Sequence, residues 1–476
     1  MIRKSILNIF GLLVCLIACQ DTGFAQLPAN GTAGKKLVKT ASSTPLSPAD
    51  IKFEAGMSRL NSRSVNTSAT EKLFREGLAL DPKNAKCNYG LGRLAMYDKK
   101  IGYTEAISFF NKAIATNPKY IEALRMRGLA YSYNDQHQQA LRDFNTLIAM
   151  KPDDIDYLCH RGMEYFELTR IEEARTDLIK GYAKNPNNPT ALLLRAMLDD
   201  YNGNFDIVKA ACNNIINQGF ASNKAFWLRS VAKTRLFDFV GARSDLKLAE
   251  SSSHFDYADE LETLVNYESD HKNAEKSPAR RFALACSAPL YEYNSQGSES
   301  LAGIELNPDS IKHTQYMLRS KYGATNREQL IAVMKRLSEQ GDNAVWQSMR
   351  TRELSKSSGY RLNLVKQFDK QLGDRGLRVW DLCRVIYLCR WGYRCGYLTK
   401  DEAFALMMPI AAQVQKLCGG WKQVVDEYFI GKRFFLGEKE FAEDKHRIGR
   451  TTGRLMNPRF GLPKIPWNTP LGVAAK

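Results

Sequence analysis

The sequence predicts an all-α protein in two parts, a solenoid of helical hairpins over residues 48–270 and a second, non-repeat α-helical domain over residues 276–472. Three observations predict it. Pro82, Pro118, Pro152 and Pro186 recur at steps of 36, 34 and 34, and a fixed period of this size marks stacked supersecondary units. Beyond residue 276 the period vanishes, yet apolar residues still fall at helical spacing behind capping sequences. The charge changes at the same place: residues 47–270 hold 29 basic and 30 acidic side chains, residues 271–476 hold 34 and 20, an excess of +14. At 476 residues the chain is also longer than one hydrophobic core usually serves.

The chain opens with Arg3 and Lys4 before an apolar stretch from Ile6 to Ala18, too short to span a bilayer. This is the pattern of an export signal over residues 1–25. Small residues around Gly23 and Ala25 suit cleavage after Ala25, while Leu16, Ile17, Ala18 and Cys19 resemble a lipobox, with Cys19 the lipidated residue. The expected location is therefore periplasmic or secreted, with a lipoprotein anchored at Cys19 as the alternative. Residues 26–47, rich in Gly, Ala, Ser, Thr and Pro, read as a flexible tether.

Between the recurring prolines the same residue types return. Gly92, Gly128 and Gly162 fall on a first helix, Ala106, Ala140 and Ala174 on a second, and Phe110, Phe144 and Leu178 between hairpins. Small residues let antiparallel helices approach closely, and proline ends one hairpin before the next. Arg127, Arg161, Arg195 and Arg229 repeat one residue before the small position, and Asp143, Asp177 and Asp245 hold a matching register on the second helices. Where the first full unit has Leu91 for Arg, it has Phe109 for Asp. An Arg–Asp bridge inside three hairpins follows, replaced by an apolar pair in one; an arginine ladder facing a ligand is the alternative. Arg195 faces Ala211 and lacks the partner. The unit after Pro189 is degenerate, and the last helix, with Asp256, Asp259, Glu260 and Glu262, reads as a solvated cap.

This pattern is similar to the tetratricopeptide family. The resemblance implies a concave face built by first helices that binds an extended peptide or a helix. The matching positions here include Tyr89, Arg93, Arg125, Leu129, Met163, Phe166, Met197 and Trp227. Mostly apolar and aromatic, they suit an apolar segment or amphipathic helix as partner. They depart from the Lys and Asn pattern with which tetratricopeptide clamps hold a C-terminal carboxylate.

In the second domain, Thr325 to Glu328 and Thr399 to Glu402 read as capping boxes. Leu377 to Cys395, apolar on most sides, reads as the central helix. The residues Trp380, Asp381, Arg384, Gly396, Tyr397, Glu402, Trp421 and Gly431 resemble the bacterial family catalogued as domain of unknown function 1266, which implies no reaction. No Cys or Ser stands in a nucleophile motif, no cysteine spacing suits a metal, and no glycine-rich loop calls for a nucleotide cofactor. If the domain is an enzyme, Asp381, Arg384 and Glu402 are its candidate catalytic residues. The basic run from Lys432 to Arg459 raises a second alternative, an anionic envelope surface as partner; nucleic acid is not expected of an exported chain. The leading expectation is an exported interaction scaffold, its solenoid binding a protein or peptide and its second domain acting as adaptor.

Overall fold

The computed structural model describes residues 46–62, 65–97, 102–220, 223–250, 257–351, 359–459 and 461–472. The expected signal segment with Cys19, and the tether up to residue 45, lie outside the described residues. Among the described residues the elements are α-helices with two short 3₁₀ turns, and no strand occurs. No described helix is long and apolar enough to cross a membrane.

Twelve helices form the hairpins: α1 (Pro48–Leu60), α2 (Thr67–Leu80), α3 (Ala85–Tyr97), α4 (Tyr103–Thr116), α5 (Ile121–Tyr133), α6 (His137–Met150), α7 (Ile155–Glu167), α8 (Ile171–Lys184), α9 (Pro189–Tyr201), α10 (Phe205–Asn217), α11 (Asn223–Arg235) and α12 (Phe239–Glu250). Then come α13 (Tyr257–Lys272), α14 (Pro278–Ala285), α15 (Ala288–Tyr293), α16 (Pro308–Tyr322), α17 (Arg327–Gln340), α18 (Asp342–Thr351), α19 (Tyr360–Leu372), α20 (Arg378–Arg394), α21 (Lys400–Leu417), α22 (Trp421–Leu436) and α23 (Glu438–Met456). The chain packs as two compact units that are not contiguous in sequence. One holds the chain up to Arg195 with Ala211–Phe226 and Leu248–Asp256. The other holds Ala196–Ala210, Trp227–Lys247 and Tyr257–Lys476.

In the first unit, α1 to α8 are four consecutive hairpins, including an opening pair with little of the repeat signature. Phe74, Phe110 and Phe144 are fully buried, each under a neighbour that has no room for more. A Cβ on Gly56 or Gly90 would stand 2.4 Å from the Phe74 ring, and one on Gly92 2.5 Å from that of Phe110. The turns of the four hairpins from α5–α6 to α11–α12 close through a left-handed residue, and these recur 34 apart as Asp135 (φ 55°), Thr169 (φ 60°), Gly203 (φ 75°) and Phe237 (φ 63°). Asp135 and Thr169 belong to the first unit, Gly203 and Phe237 to the second.

The second unit is built around α20, in which every residue but Arg378 and Tyr393 is buried. At Gly431 the backbone of α22 meets α20 so closely that a Cβ would stand 2.3 Å from the Cβ of Trp380. The Thr399 capping box forms as expected, with Glu402 N donating to Thr399 Oγ1 (3.2 Å) and Thr399 N to Glu402 Oε2 (2.9 Å). The other box shifts by one residue. Asn326 caps α17 by accepting from Gln329 N (2.9 Å), and Gln329 rather than Glu328 reaches back, accepting from Thr325 N (2.8 Å). Asn competes with Thr for the cap position on nearly equal terms, and here Asn holds it. Helix α13 is a solvated cap only in part: Asp259 and Glu262 are exposed, Asp256 lies outside the described residues, and Glu260 is half-buried. Glu260 and Asp270 are drawn into the second unit, where burial raises both carboxyls.

Candidate functional site

The repeated arginines of the solenoid are internal ties. Arg127 donates from Nε and Nη2 to both oxygens of Asp143 (2.8 and 2.6 Å), and its Nη1 donates to Asn111 Oδ1 of the preceding hairpin (2.8 Å). Arg161 repeats this with Asp177 (2.8 and 2.7 Å) and Asn145 (2.9 Å). Arg229 holds Asp245 in the same two-pronged way (2.8 and 2.6 Å), joined there by Lys233 (2.8 Å). The planar guanidinium fork thus joins two helices of one hairpin, and in the first two cases the previous hairpin as well. Arg195, whose register position on the second helix is Ala211, donates to the hydroxyl of Tyr182 and lies over its ring. The ladder of arginines facing a ligand is not what forms.

The expected partner-binding residues occupy different ground from an open apolar groove. In the first unit Tyr89, Arg93, Leu129, Met163 and Phe166 are each at most 8% exposed, and only Arg125 is half-buried. Tyr89 packs on Phe53, Phe110 and Tyr120, with ring centroids 6.4, 6.0 and 5.2 Å away. Met197 and Trp227 are buried in the second unit. These side chains are covered by the chain itself because apolar area is most favourably removed from water against neighbouring apolar area.

Asp381, Arg384 and Glu402 do not converge. Asp381 is fully buried and accepts from Asp342 N (3.1 Å) and Asn343 N (2.9 Å), so it caps α18 from a distant helix. Burial pushes its carboxyl up to about 6, against the pull of the Asn343 amide and the Arg384 charge. A Cβ on Gly341 would stand 2.3 Å from this carboxylate, so the close approach requires glycine there. Arg384 bonds Asp342 (2.6 Å) more closely than Asp381 (3.4 Å), Trp380 Nε1 donates to the same Asp342 carboxylate (2.8 Å), and the guanidinium lies over Trp380 and Phe435. Glu402 is spent on its own cap and on Arg327 (3.0 Å) at the surface. Of the other motif residues, Gly396 takes a left-handed φ of 73°, Tyr397 is half-buried beside it, and Trp421 donates to Ile465 O (2.7 Å) while stacking edge-on against Trp467. The motif residues hold helix junctions.

The basic run after Lys432 is not a free cationic face. Arg433 donates to Tyr360 Oη (3.0 Å), Arg447 to Tyr293 O (2.7 Å), Arg459 pairs with Asp206, and Lys432 is buried. Burial, with Arg454 beside it, brings Arg450 down to about 10. Lys439 and Lys445 remain exposed. Sequence reasoning missed the cluster that accounts for this. Arg454 clamps Asp200 through two bonds (2.6 and 2.7 Å), and Arg235 clamps Glu292 (2.7 Å twice), which also accepts from Tyr267 Oη (3.0 Å). Burial alone would raise Glu292, but the Arg235 and Arg454 charges outweigh it and bring the carboxyl down to about 2. A second missed node is Arg390, fully buried, donating to the carbonyls of Leu301, Gly297 and Ser300 and to Ser287 Oγ over the face of Tyr291. Partners so far apart in the chain leave no spacing to read.

The eight described cysteines are buried, and among the described residues no group of His, Cys, Asp and Glu is arranged to hold a metal.

Residues 317–467 match the model of a family described as "Protein of unknown function (DUF1266)". Tetratricopeptide structures match the N-terminal part of the chain. A tetratricopeptide repeat protein from Parabacteroides merdae is 20% identical, the match covering 46% of this chain and 97% of that one at a TM-score of 0.34. PilF of Pseudomonas aeruginosa is 16% identical (45% and 97%, TM-score 0.35), and TTC0263 of Thermus thermophilus 19% (37% and 98%, TM-score 0.32). No curated protein matches the chain.

Proposed function

We propose that this chain, a tetratricopeptide solenoid continued by a helical domain similar to the DUF1266 family, is an exported protein–protein interaction scaffold. One observation carries the reading: its conspicuous polar residues are committed to holding helices together. The arginines of the hairpins tie neighbouring helices, Asp381 caps α18, Arg384 bonds Asp342, and Glu402 caps α21. Stacked hairpins fixed in this way offer a long, rigid surface, the use to which solenoids are suited.

Because the apolar inner residues are covered, a partner meets the solenoid through its exposed and half-buried side chains, of which Arg125 is the one at an expected binding position. An apolar peptide entering at Leu129 or Met163 would first have to displace what covers them. The basic tail supplies no reason to expect anionic surfaces.

Crosslinking and mass spectrometry in the native host test the reading. The expected result is a recurrent set of links from lysines within residues 48–195 to one other protein, weakened by Arg125→Glu. Self-links alone would overturn it. N-terminal sequencing of the mature protein tests export separately: a start at Gln26, or an acylated Cys19, is expected, and a cytosolic chain beginning at Met1 would remove that part of the proposal.

A further inference from the structure

Three of the four left-handed turns carry polar or small residues where the hairpin meets water. The left-handed residue is Asp135, Thr169 or Gly203, and three positions on, at the start of the second helix, stand Gln138, Glu172 and Asp206. In the fourth turn, which lies in the second unit, both positions are apolar. Phe237, at φ 63°, is 44% exposed and Val240 is 85% exposed, with Asp238 and the half-buried Phe239 between them. Single apolar side chains scattered over a surface need no explanation. Here two stand in one turn, and the first also takes a backbone conformation that disfavours any side chain and a bulky one most. The fold requires neither, since the other three turns close without them.

The turn is also fixed in shape. Phe237 N donates to Thr234 O (3.2 Å) and Asp238 N to Lys233 O (2.9 Å), while Asp238 Oδ1 accepts from Gly241 N (2.9 Å) at the start of α12. The Phe237 ring lies on the imidazole of His271 from α13, with centroids 3.9 Å apart and planes 20° from parallel, and His271 Nδ1 stands 3.3 Å from Glu299 Oε2. His271 is itself exposed, so the stack holds the ring without removing it from water. An aromatic side chain held in this way loses little freedom when a partner buries it, which is the property of an anchor residue.

We propose that this turn is a docking knob, with Phe237 and Val240 seated in an apolar pocket on the surface of another protein. The proposal rests on the scaffold reading and adds to it a contact outside residues 48–195. The shape and chemistry of the turn select the occupant. A hairpin tip is convex, and symmetric pairing with a second copy would set the same convex tip against itself. Phe237 and Val240 together expose on the order of 200 Å², against the roughly 800 Å² that each side of a stable interface buries, which is too little for two tips to hold a dimer and enough for the centre of a contact with a concave partner. A bilayer fits no better, because the exposed Asp238 stands between the two apolar residues and would be carried into the hydrocarbon with them.

The test uses the full-length protein in its native host, with the photoreactive amino acid p-benzoylphenylalanine at position 240 or, as controls, at positions 138 and 172. A protein crosslinked from 240 and not from the controls is purified, and its affinity for the wild-type chain is compared with its affinity for Phe237→Gly and Val240→Glu. Both variants are expected to bind at least about tenfold more weakly, and the crosslink is expected to map to a concave apolar site on the partner. Phe237→Gly should melt no lower than the wild type, because glycine suits the left-handed turn. A Val240→Glu chain that binds as tightly as wild type would overturn the proposal whatever Phe237→Gly does, since Val240 is too exposed to serve the fold. So would the absence of any crosslink from 240, a crosslink only to a second copy, or retention of the wild-type chain on phosphatidylcholine vesicles that Val240→Glu abolishes. In those cases links from lysines within residues 48–195 to another protein leave the scaffold reading standing, and their absence removes both.

Discussion

Arg161 and Asp177 show how much one buried pair carries. Asp177 is 2% exposed and both its oxygens are taken by one guanidinium, so Arg161→Leu strands a buried carboxylate and should cost about 3 kcal/mol in chemical denaturation. The first full repeat points to the rescue: Leu91 and Phe109 stand where the later hairpins have Arg and Asp. The double variant Arg161→Leu, Asp177→Phe should therefore be considerably more stable than Arg161→Leu alone, a coupling that a double-mutant cycle measures. Glu292 gives a pH dependence. Its carboxyl is lowered from 4.5 to about 2, so its contribution is present above pH 4.5 and is lost as pH falls from there through 2. The stability difference between wild type and Glu292→Gln, read from urea midpoints, should be large and level from pH 7 to about 4.5 and shrink below that.

At the scale of the element, the hairpin turns are the simplest place to intervene. Four turns pass through a left-handed residue at the same register, and the chain supplies glycine at only one of them, Gly203. A side chain in that conformation costs on the order of 1 kcal/mol, so Thr169→Gly should stabilise the α7–α8 hairpin by roughly that amount, less the added freedom of glycine in the unfolded chain. A raised melting temperature is the expected outcome. Asp135, Thr169, Gly203 and Phe237 share no residue type, so this 34-residue recurrence in the backbone could not be read from composition. The hairpins themselves could, because small residues and prolines mark them. The shift of one cap from Thr325 to Asn326 illustrates the ordinary limit: adjacent residues with similar capping strength are separated only by how the helix is approached.

For the whole molecule, the consequential finding is that compactness does not follow chain order. Ala196–Ala210 and Trp227–Lys247 pack with the C-terminal helices, through Arg454 on Asp200, Arg235 on Glu292, and Asn457 donating to Asn202 O and Asn204 Oδ1. A fragment of residues 276–476 leaves Glu292 and Arg454 without these partners and should unfold at much lower denaturant than a fragment of residues 189–476. Circular dichroism of the two, with amide exchange along α15 and α23, checks it. Equal stability would show that the ionic cluster is dispensable.

What the sequence determined alone is what local repetition can encode. The period of the hairpins, the pairing of Arg127, Arg161 and Arg229 with carboxylates 16 residues on, the Thr399 cap and the central helix α20 each rest on residues a fixed, short distance apart. What only the tertiary structure decided concerns residues whose surroundings come from elsewhere in the chain. Leu129 and Met163 carry the same side chains whether they line a groove or are covered; Asp381 looks the same as a catalytic carboxylate and as a cap for a helix 39 residues earlier; Lys432 is one more cation in a basic run until Tyr293 and Arg447 are brought to it. Burial and proximity are properties of the fold, and they decide the ionisation, accessibility and role of these residues.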